Sequence, residues 1–278
     1  MSRILLSGAS GFIGRPLFDR LLSKGHEVLR LARSGSKKED GSIIWDPEGA
    51  KARKEDFEGF DAVIHLAGEP ISLGRWSKLE RKRILFSRTV GTLLLSQILS
   101  QLYSPPKVFL SASAVGFYGD RGEEILTEES DPGRGFLANV CCEWEKASYA
   151  IENRGSRTAH MRFGKVVGPK GKTCLPLGLG PKNRWISWIE REDLIRAVEH
   201  ILDHDSLEGP INLVSPNPVQ QKEFSQISIP PWALRLRYGL AADELLLSST
   251  RAVPSKLLAS EFIFQTPYLL NPLRKATQ

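Results

Sequence analysis

Three glycines spaced by three occupy Gly8-Ala9-Ser10-Gly11-Phe12-Ile13-Gly14, directly behind the apolar run Ile4-Leu5-Leu6. Glycine lets backbone N–H groups come close to a ligand, and a helix opening there adds the positive end of its dipole. That combination suits a pyrophosphate. A dinucleotide is therefore expected, with Gly8, Ser10, Gly11, Phe12, Ile13 and Gly14 as contacts. About twenty residues further on, where an acid would hold the ribose 2′-OH of NAD, the sequence reads Leu31-Ala32-Arg33-Ser34, with Lys37 and Lys38 behind and no acid before Glu39. A guanidinium suits a 2′-phosphate, so Arg33 and Ser34 predict NADP(H). Asp61 to Gly68 reads as a buried strand ending in small residues, which let a flat ring approach the backbone; Leu66, Ala67 and Gly68 are candidate cofactor-lining residues.

These residues need a β-α-β frame, and the flanking pattern predicts one. Pro16 to Gly25 reads as a helix with apolar Leu17, Phe18, Leu21 and Leu22, followed by a strand from Glu27 to Leu31. Ile43-Ile44-Trp45 suggests a short strand. A long helix is expected from Ser77 to about Leu102, with Leu79, Ile84, Leu93, Leu94, Ile98 and Leu99 on its apolar side. Pro105-Pro106 ends it, and Lys107 to Leu110 returns to a strand running into Ser111-Ala-Ser-Ala-Val-Gly-Phe-Tyr-Gly119. A helix over Gly135 to Asn153, a strand over Thr158 to Arg162 and a helix over Leu194 to His204 follow. This alternation predicts a Rossmann-type α/β fold with a doubly wound parallel sheet. Residues 1–163 are expected to form the nucleotide-binding domain, its sheet continued by later strands. From about Gly164 the pattern loosens, and residues 164–278 are expected to form a smaller substrate-side region, mostly helical from Pro230 to Arg274.

Composition narrows the partners. The 278 residues are 41% hydrophobic and 25% charged, with a net charge of +6 and a pI near 9.2. The basic residues form no long run interleaved with aromatics, which argues against nucleic acid; a polyanionic small molecule suffices. Cys141, Cys142 and Cys174 give neither a disulfide framework nor metal-ligand spacing, so a reducing compartment and no metal are expected. No stretch approaches the roughly eighteen apolar residues of a membrane helix, and a strand beginning at Arg3 leaves no room for a signal peptide, so the cytoplasm is the expected location. His65, inside an apolar strand, reads as a core residue.

The sequence resembles the extended short-chain dehydrogenase/reductase superfamily and, within it, the branch of epimerase family proteins also labelled cell-division-inhibitor-like nucleotide-sugar epimerases. The matching segments are Gly8-x-x-Gly-Phe-Ile-Gly14, His65-Leu-Ala-Gly-Glu69, Arg75-Trp76 with Ser87-Arg88 and Gly91-Thr92, Ser111 to Gly119, Trp188-Ile189 with Asp193-Leu194, and Pro231 to Phe264. The resemblance implies a serine that orients the substrate at Ser111 or Ser113, with Ser111 also near the cofactor. It also implies a Tyr-x-x-x-Lys dyad on the next helix. This chain has Phe136-Leu137-Ala138-Asn139-Val140 there, so neither titratable group is present. Tyr118 and Glu143 are candidate substitute acids. Three readings stay open: an NADP-dependent oxidoreductase or epimerase, a non-catalytic NADP(H)-binding redox sensor, and a cell-division or assembly protein on a Rossmann scaffold. Arg162 could meet the substrate region or form an ion pair, Lys165 and Lys170 could meet an anion, and Trp185 and Trp188 could cover the nicotinamide end. Pairing of long helices, here Ser77–Leu102 and Gly135–Asn153, would give a homodimer. The family's longer segments at Lys172–Gly180 and Gln226–Pro230 are shortened.

Overall fold

The computed structural model describes residues 1–33, 42–47, 52–169, 179–224 and 227–269. In chain order its strands are β1 (Arg3–Ser7), β2 (Glu27–Arg33), β3 (Ser42–Trp45), β4 (Ala62–His65), β5 (Val108–Ala114), β6 (Ile125–Leu126) and β7 (Arg157–Phe163). They continue with β8 (Lys165–Val167), β9 (Trp185–Ile186), β10 (Trp188–Glu190), β11 (Gly209–Leu213), β12 (Val219–Gln220) and β13 (Arg251–Ala252). The helices are α1 (Gly14–Ser23), α2 (Lys78–Ser100), α3 (Phe136–Lys146), α4 (Tyr149–Asn153), α5 (Arg191–Asp203), α6 (Gln221–Phe224), α7 (Pro231–Tyr238) and α8 (Ser255–Ala259).

Seven strands form the main sheet in the order β11-β7-β5-β4-β1-β2-β3. Neighbours β3, β2, β1, β4 and β5 run parallel, as helical crossovers require. This is the doubly wound Rossmann-type arrangement that the alternating pattern predicts. The order reverses beside β1, so the carboxyl ends of β1 and β4 flank a switch point where such sheets bind ligands. Three two-stranded pairs, β8–β10, β9–β12 and β6–β13, lie outside the main sheet.

The chain divides into two compact units, and neither is contiguous. One comprises residues 1–70, 83–112 and 143–160; the other comprises 71–82, 113–142 and 161–278. In the first unit Leu5, Val63, Phe109, Leu95, Leu99 and Trp45 share one core. In the second, Phe117, Tyr118, Leu126, Cys141 and Ala252 form one cluster and Ile186, Trp188 and Val219 another.

Three elements differ from the sequence expectation. On α2, Leu79 and Leu93 are exposed, and the buried face instead carries Arg88, Gly91, Thr92, Leu95, Ser96 and Leu99. Polar groups can face inward there because they have partners: Thr92 Oγ1 accepts from Trp144 Nε1 at 2.9 Å, and Ser96 Oγ donates to Ser148 O and accepts from Ile151 N. The helix expected over Gly135 to Asn153 breaks into α3 and α4, with buried Ser148 bonding back to Glu145 O at the junction. Among the described residues the C-terminal part is less helical than expected: beyond α7 and a π-helical turn over Ala242–Leu247 come the two-residue strand β13, the single turn α8 and irregular chain to residue 269.

Candidate functional site

The turn after β1 is built to keep its backbone bare. Gly8 has φ +71°, and a Cβ there would lie 3.0 Å from the Leu66 carbonyl carbon. At Gly14 a Cβ would fall 2.1 Å from Gly8 O, an impossible overlap, so α1 must begin on glycine. Gly11 N donates to Gly8 O at 3.0 Å and closes the turn. Ile13 provides no side-chain cap to α1, whose first turn carries no acid. A helix start with no competing carboxylate, reached by a glycine cradle, fits the pyrophosphate of a dinucleotide.

Ser7 and His65 hold the opposite wall. Ser7 Oγ accepts the backbone N–H groups of Leu66 and Ala67 at 3.0 and 3.1 Å, so its own proton goes to His65 Nδ1, 2.7 Å away. His65 is thereby fixed as the Nε2–H tautomer. Its Nε2 is buried with no partner among the described residues, and burial lowers its pKa to about 4. His65 is a neutral core residue, as its apolar strand suggests. The same loop is clamped further along: Ser87 Oγ accepts from Glu69 N, Arg88 donates to Glu69 O, and the Arg88 side chain lies 3.6 Å from where a Cβ on Gly68 would sit. The Ser87-Arg88 pair thus has a local structural task.

Arg33 ends β2 with its side chain exposed and unbonded to any described residue. A free guanidinium at a strand's carboxyl end fits a 2′-phosphate. Ser34, its expected companion, lies outside the described residues. So do Lys170, the segment from Lys172 to Gly178, and Gln226. Ser111 and Ser113 both sit on β5 and are buried; Ser111 is the register neighbour of His65, and its hydroxyl makes one long bond of 3.4 Å to Ala112 O.

The candidate acids have other company. Tyr118 is fully buried, and its hydroxyl accepts Arg162 NH1 at 3.0 Å while its one proton faces both Thr127 O and Asn212 Oδ1. Burial pushes its pKa up against the opposing pull of Arg162. Arg162 itself lies over the Phe117 ring at 3.5 Å. Glu143 is exposed and paired with Lys146 at 2.9 Å, a helix-face ion pair. At the vacated dyad position, Phe136 packs edge-on to Trp76 at 5.8 Å. Trp188 is in the core, donating to Asn217 O, while Trp185 donates to Glu123 and lies under Arg251.

Sequence reading missed four residues. Glu244 caps α3, accepting Phe136 N at 2.7 Å and Leu137 N at 3.0 Å. Glu128 is buried, bridges Asn212 N and Lys256 N through Oε1, leaves Oε2 without a partner among the described residues, and has its carboxyl pushed up by burial. Asn212 completes the Tyr118 network and donates to Val253 O. Arg184 is buried, and its position in a stretch without acids was the available signal. Lys165, one of the two lysines expected as anion contacts, belongs to β8 and has its pKa lowered to about 7 by burial and by Arg184. Among the described residues no cluster of His, Cys, Asp or Glu could hold a metal, and no helix is long and apolar enough to cross a membrane.

A glycine-cradled helix start on a doubly wound sheet defines a nucleotide-binding Rossmann protein, and the chain belongs to the NAD dependent epimerase/dehydratase family, whose model matches residues 4–214. Residues 229–276 match a domain of unknown function, DUF1731. Among particular relatives, the epimerase family protein MT2273 of Mycobacterium tuberculosis is 32% identical over 295 residues, covering 99% of this chain and 97% of that protein. The crystal structure of human epimerase family protein SDR39U1 (isoform 2) with NADPH superposes with a TM-score of 0.86 at 26% identity, covering 98% of each chain. A nucleoside-diphosphate sugar epimerase from Corynebacterium glutamicum gives a TM-score of 0.80 at 31% identity; 98% of this chain spans 57% of that one.

Proposed function

We propose that this protein binds NADP(H) along the turn after β1 and acts as an oxidoreductase or epimerase on a small substrate carrying a hydroxyl or carbonyl group. The observation that carries this reading is the exposed Arg33, without a side-chain partner among the described residues, one strand away from the uncapped start of α1. The NADPH in the human relative's structure supports the same choice of cofactor. When bound, the nicotinamide supplies hydride transfer. The chain's part is to hold the pyrophosphate at Gly8 to Gly14, the 2′-phosphate at Arg33 and Ser34, and the ring beside Leu66, Ala67, Gly68 and Ser111. Ser111 and Ser113 orient a substrate oxygen with their hydroxyls. The enclosed hydroxyl of Tyr118 supports a role in fixing Arg162 and Asn212 rather than in delivering a proton.

A second reading, binding without turnover, is favoured by one specific observation: Phe136 and Val140 stand where the superfamily's proton-transfer pair would be. The test is titration with NADPH and NADH by fluorescence, then exposure of the NADPH complex to carbonyl compounds and nucleotide sugars. NADPH oxidation or sugar interconversion supports the enzyme; tight binding without turnover across the panel supports the sensor. A homodimer is supported by the exposed apolar residues Phe86, Val90 and Leu93 along α2. Phe86→Glu should give a monomer by sedimentation if that stripe is the interface.

A further inference from the structure

Between Asn153 and Ile189 the sequence has eight Lys and Arg residues and not one Asp or Glu. The whole chain carries a net charge of only +6, so its positive excess comes from this stretch and the remainder is slightly acidic. Two of these cations, Lys165 and Arg184, meet inside the second unit. Lys165 Nζ lies 3.3 Å from the carbonyl oxygen of Leu245, and Arg184 NH1 lies 3.5 Å from that same oxygen. Arg184 is 4% exposed and held in place: NH1 also donates to Ser248 O at 3.1 Å, while Nε and NH2 both donate to Gln221 Oε1.

None of these acceptors is charged. No carboxylate among the described residues lies within ion-pair reach of either cation. The acids nearest along the chain to these partners are committed elsewhere: Asp243 pairs with Arg235, Glu244 caps α3, Glu223 of α6 accepts from Gln220 N, Glu190 of β10 caps α5 at Glu192 N, and Asp193 of α5 pairs with Arg196. What faces Lys165 and Arg184 are backbone carbonyls and an amide oxygen, which are dipoles and not charges. Arg184 is buried and Lys165 half-buried, and neither has a compensating charge among the described residues, whereas charges taken out of water in proteins are normally paired.

Counting donors indicates what is missing. Arg184 has five N–H groups, of which four are used, and the Lys165 ammonium has three, of which one makes its single long bond. Among the described residues three N–H donors are left without an acceptor, matching the three terminal oxygens of a phosphate monoester. We propose that Lys165 and Arg184 form an anion subsite for the terminal phosphate of a phosphorylated small molecule. The subsite stands whether or not the bound dinucleotide turns over.

The site has a built-in pH dependence. Lys165 has its pKa lowered to about 7, so the ammonium is present below that pH and is lost above it. Binding of a dianion should weaken by up to tenfold per pH unit above neutrality, one proton being linked to one anion.

The test uses the full chain saturated with NADPH, so that the dinucleotide site is filled. Sulfate, whose charge does not change between pH 6 and 9, and ribose 5-phosphate are titrated by calorimetry. Wild type should bind both at pH 6 and more weakly at pH 9; ribose 5-phosphate binding tighter than sulfate would place the esterified group as the ligand, and sulfate alone binding would overturn that class. Lys165→Met should lose at least tenfold at pH 6 and match wild type at pH 9, while Lys165→Arg should bind at both pH values without the decline. Lys165→Met binding as wild type at pH 6, or anion binding that disappears on NADPH saturation, overturns the subsite. In protein labelled with 13C at the lysine ε-carbons, sulfate should move the Lys165 titration to higher pH; an unmoved titration overturns the subsite independently of the variants.

Discussion

The turn from β1 to α1 offers a ligand its backbone, while the stretch from β8 to β9 offers charged side chains. At the turn, positive potential comes from peptide N–H groups and a helix start, and it costs nothing in buried charge. The glycines that allow it are fixed by overlap: Gly14 has no space for a Cβ. In the second unit, buried Arg184 and half-buried Lys165 bring side-chain cations together, held by neutral carbonyls and an amide. A backbone site is insensitive to pH and intolerant of substitution. A buried-cation site is the reverse, because side chains can be exchanged but their protons can be lost.

That contrast can be broken or sharpened by experiment. The largest effect is expected for Gly14→Ala, which drives a methyl into Gly8 O; it should cost about 3 kcal/mol or more in denaturant unfolding and abolish NADPH binding. Gly74→Ala, with nothing within 4 Å and no positive φ, is the control and should be near neutral. If Gly14→Ala binds NADPH normally, the backbone description of the turn fails.

Acid titration should act next. His65 has a native pKa of about 4 against an ordinary 6.5, so the unfolded chain binds the extra proton and stability rises with pH across that window. As pH falls from 6.5 to 4, about 3 kcal/mol should be lost through this group. His65→Gln, which cannot titrate, should flatten that part of the stability curve in chemical denaturation; an unchanged slope would assign the acid sensitivity elsewhere.

Arg33→Asp should weaken NADPH by roughly thirtyfold, about 2 kcal/mol, and leave NADH nearly unchanged or improved. Equal loss for both would remove the 2′-phosphate from Arg33.

Lys165→Met, in buffer free of sulfate and phosphate, should stabilise the protein. The native pKa near 7 lies below the ordinary 10.5, so the charged form is penalised in the fold. With allowance for the residue's partial exposure, the gain should be about 2 kcal/mol at pH 6 and shrink to nothing as pH rises from 7 to 10.5. Thermal unfolding across that range reads it. A gain that does not decline with pH would reflect packing rather than charge. The smallest effect belongs to surface pairs such as Arg121–Glu124, whose removal should change stability by less than about 1 kcal/mol.

What could be read from the sequence was local. The glycine turn, the strand before it and Arg33 are close together along the chain, and their spacing alone carries the geometry. The buried face of α2 was not legible, because Arg88, Thr92 and Ser96 look solvated until Trp144, Ser148 and Ile151 are brought against them. The caps of α3 and α5 show both cases: Glu190 stands immediately before the helix it caps, whereas Glu244 reaches Phe136 from 108 residues away. Lys165 stood out in the sequence only as a candidate anion contact, because nothing in its neighbourhood announces the pairing of β8 with β10, or that the Leu245 carbonyl is its partner.

The Glu244 cap has a bearing on how the chain matures. A ribosome delivers α3 long before Glu244 exists, and Glu128 and Asn212 likewise wait for Lys256 and Val253. The first unit closes once residue 160 has emerged, but the second can only assemble when synthesis is nearly complete. Contacts of such long sequence separation form slowly, and the half-made second unit exposes apolar surface in the meantime. A nascent chain stalled before residue 244 should therefore be the species that chaperones hold.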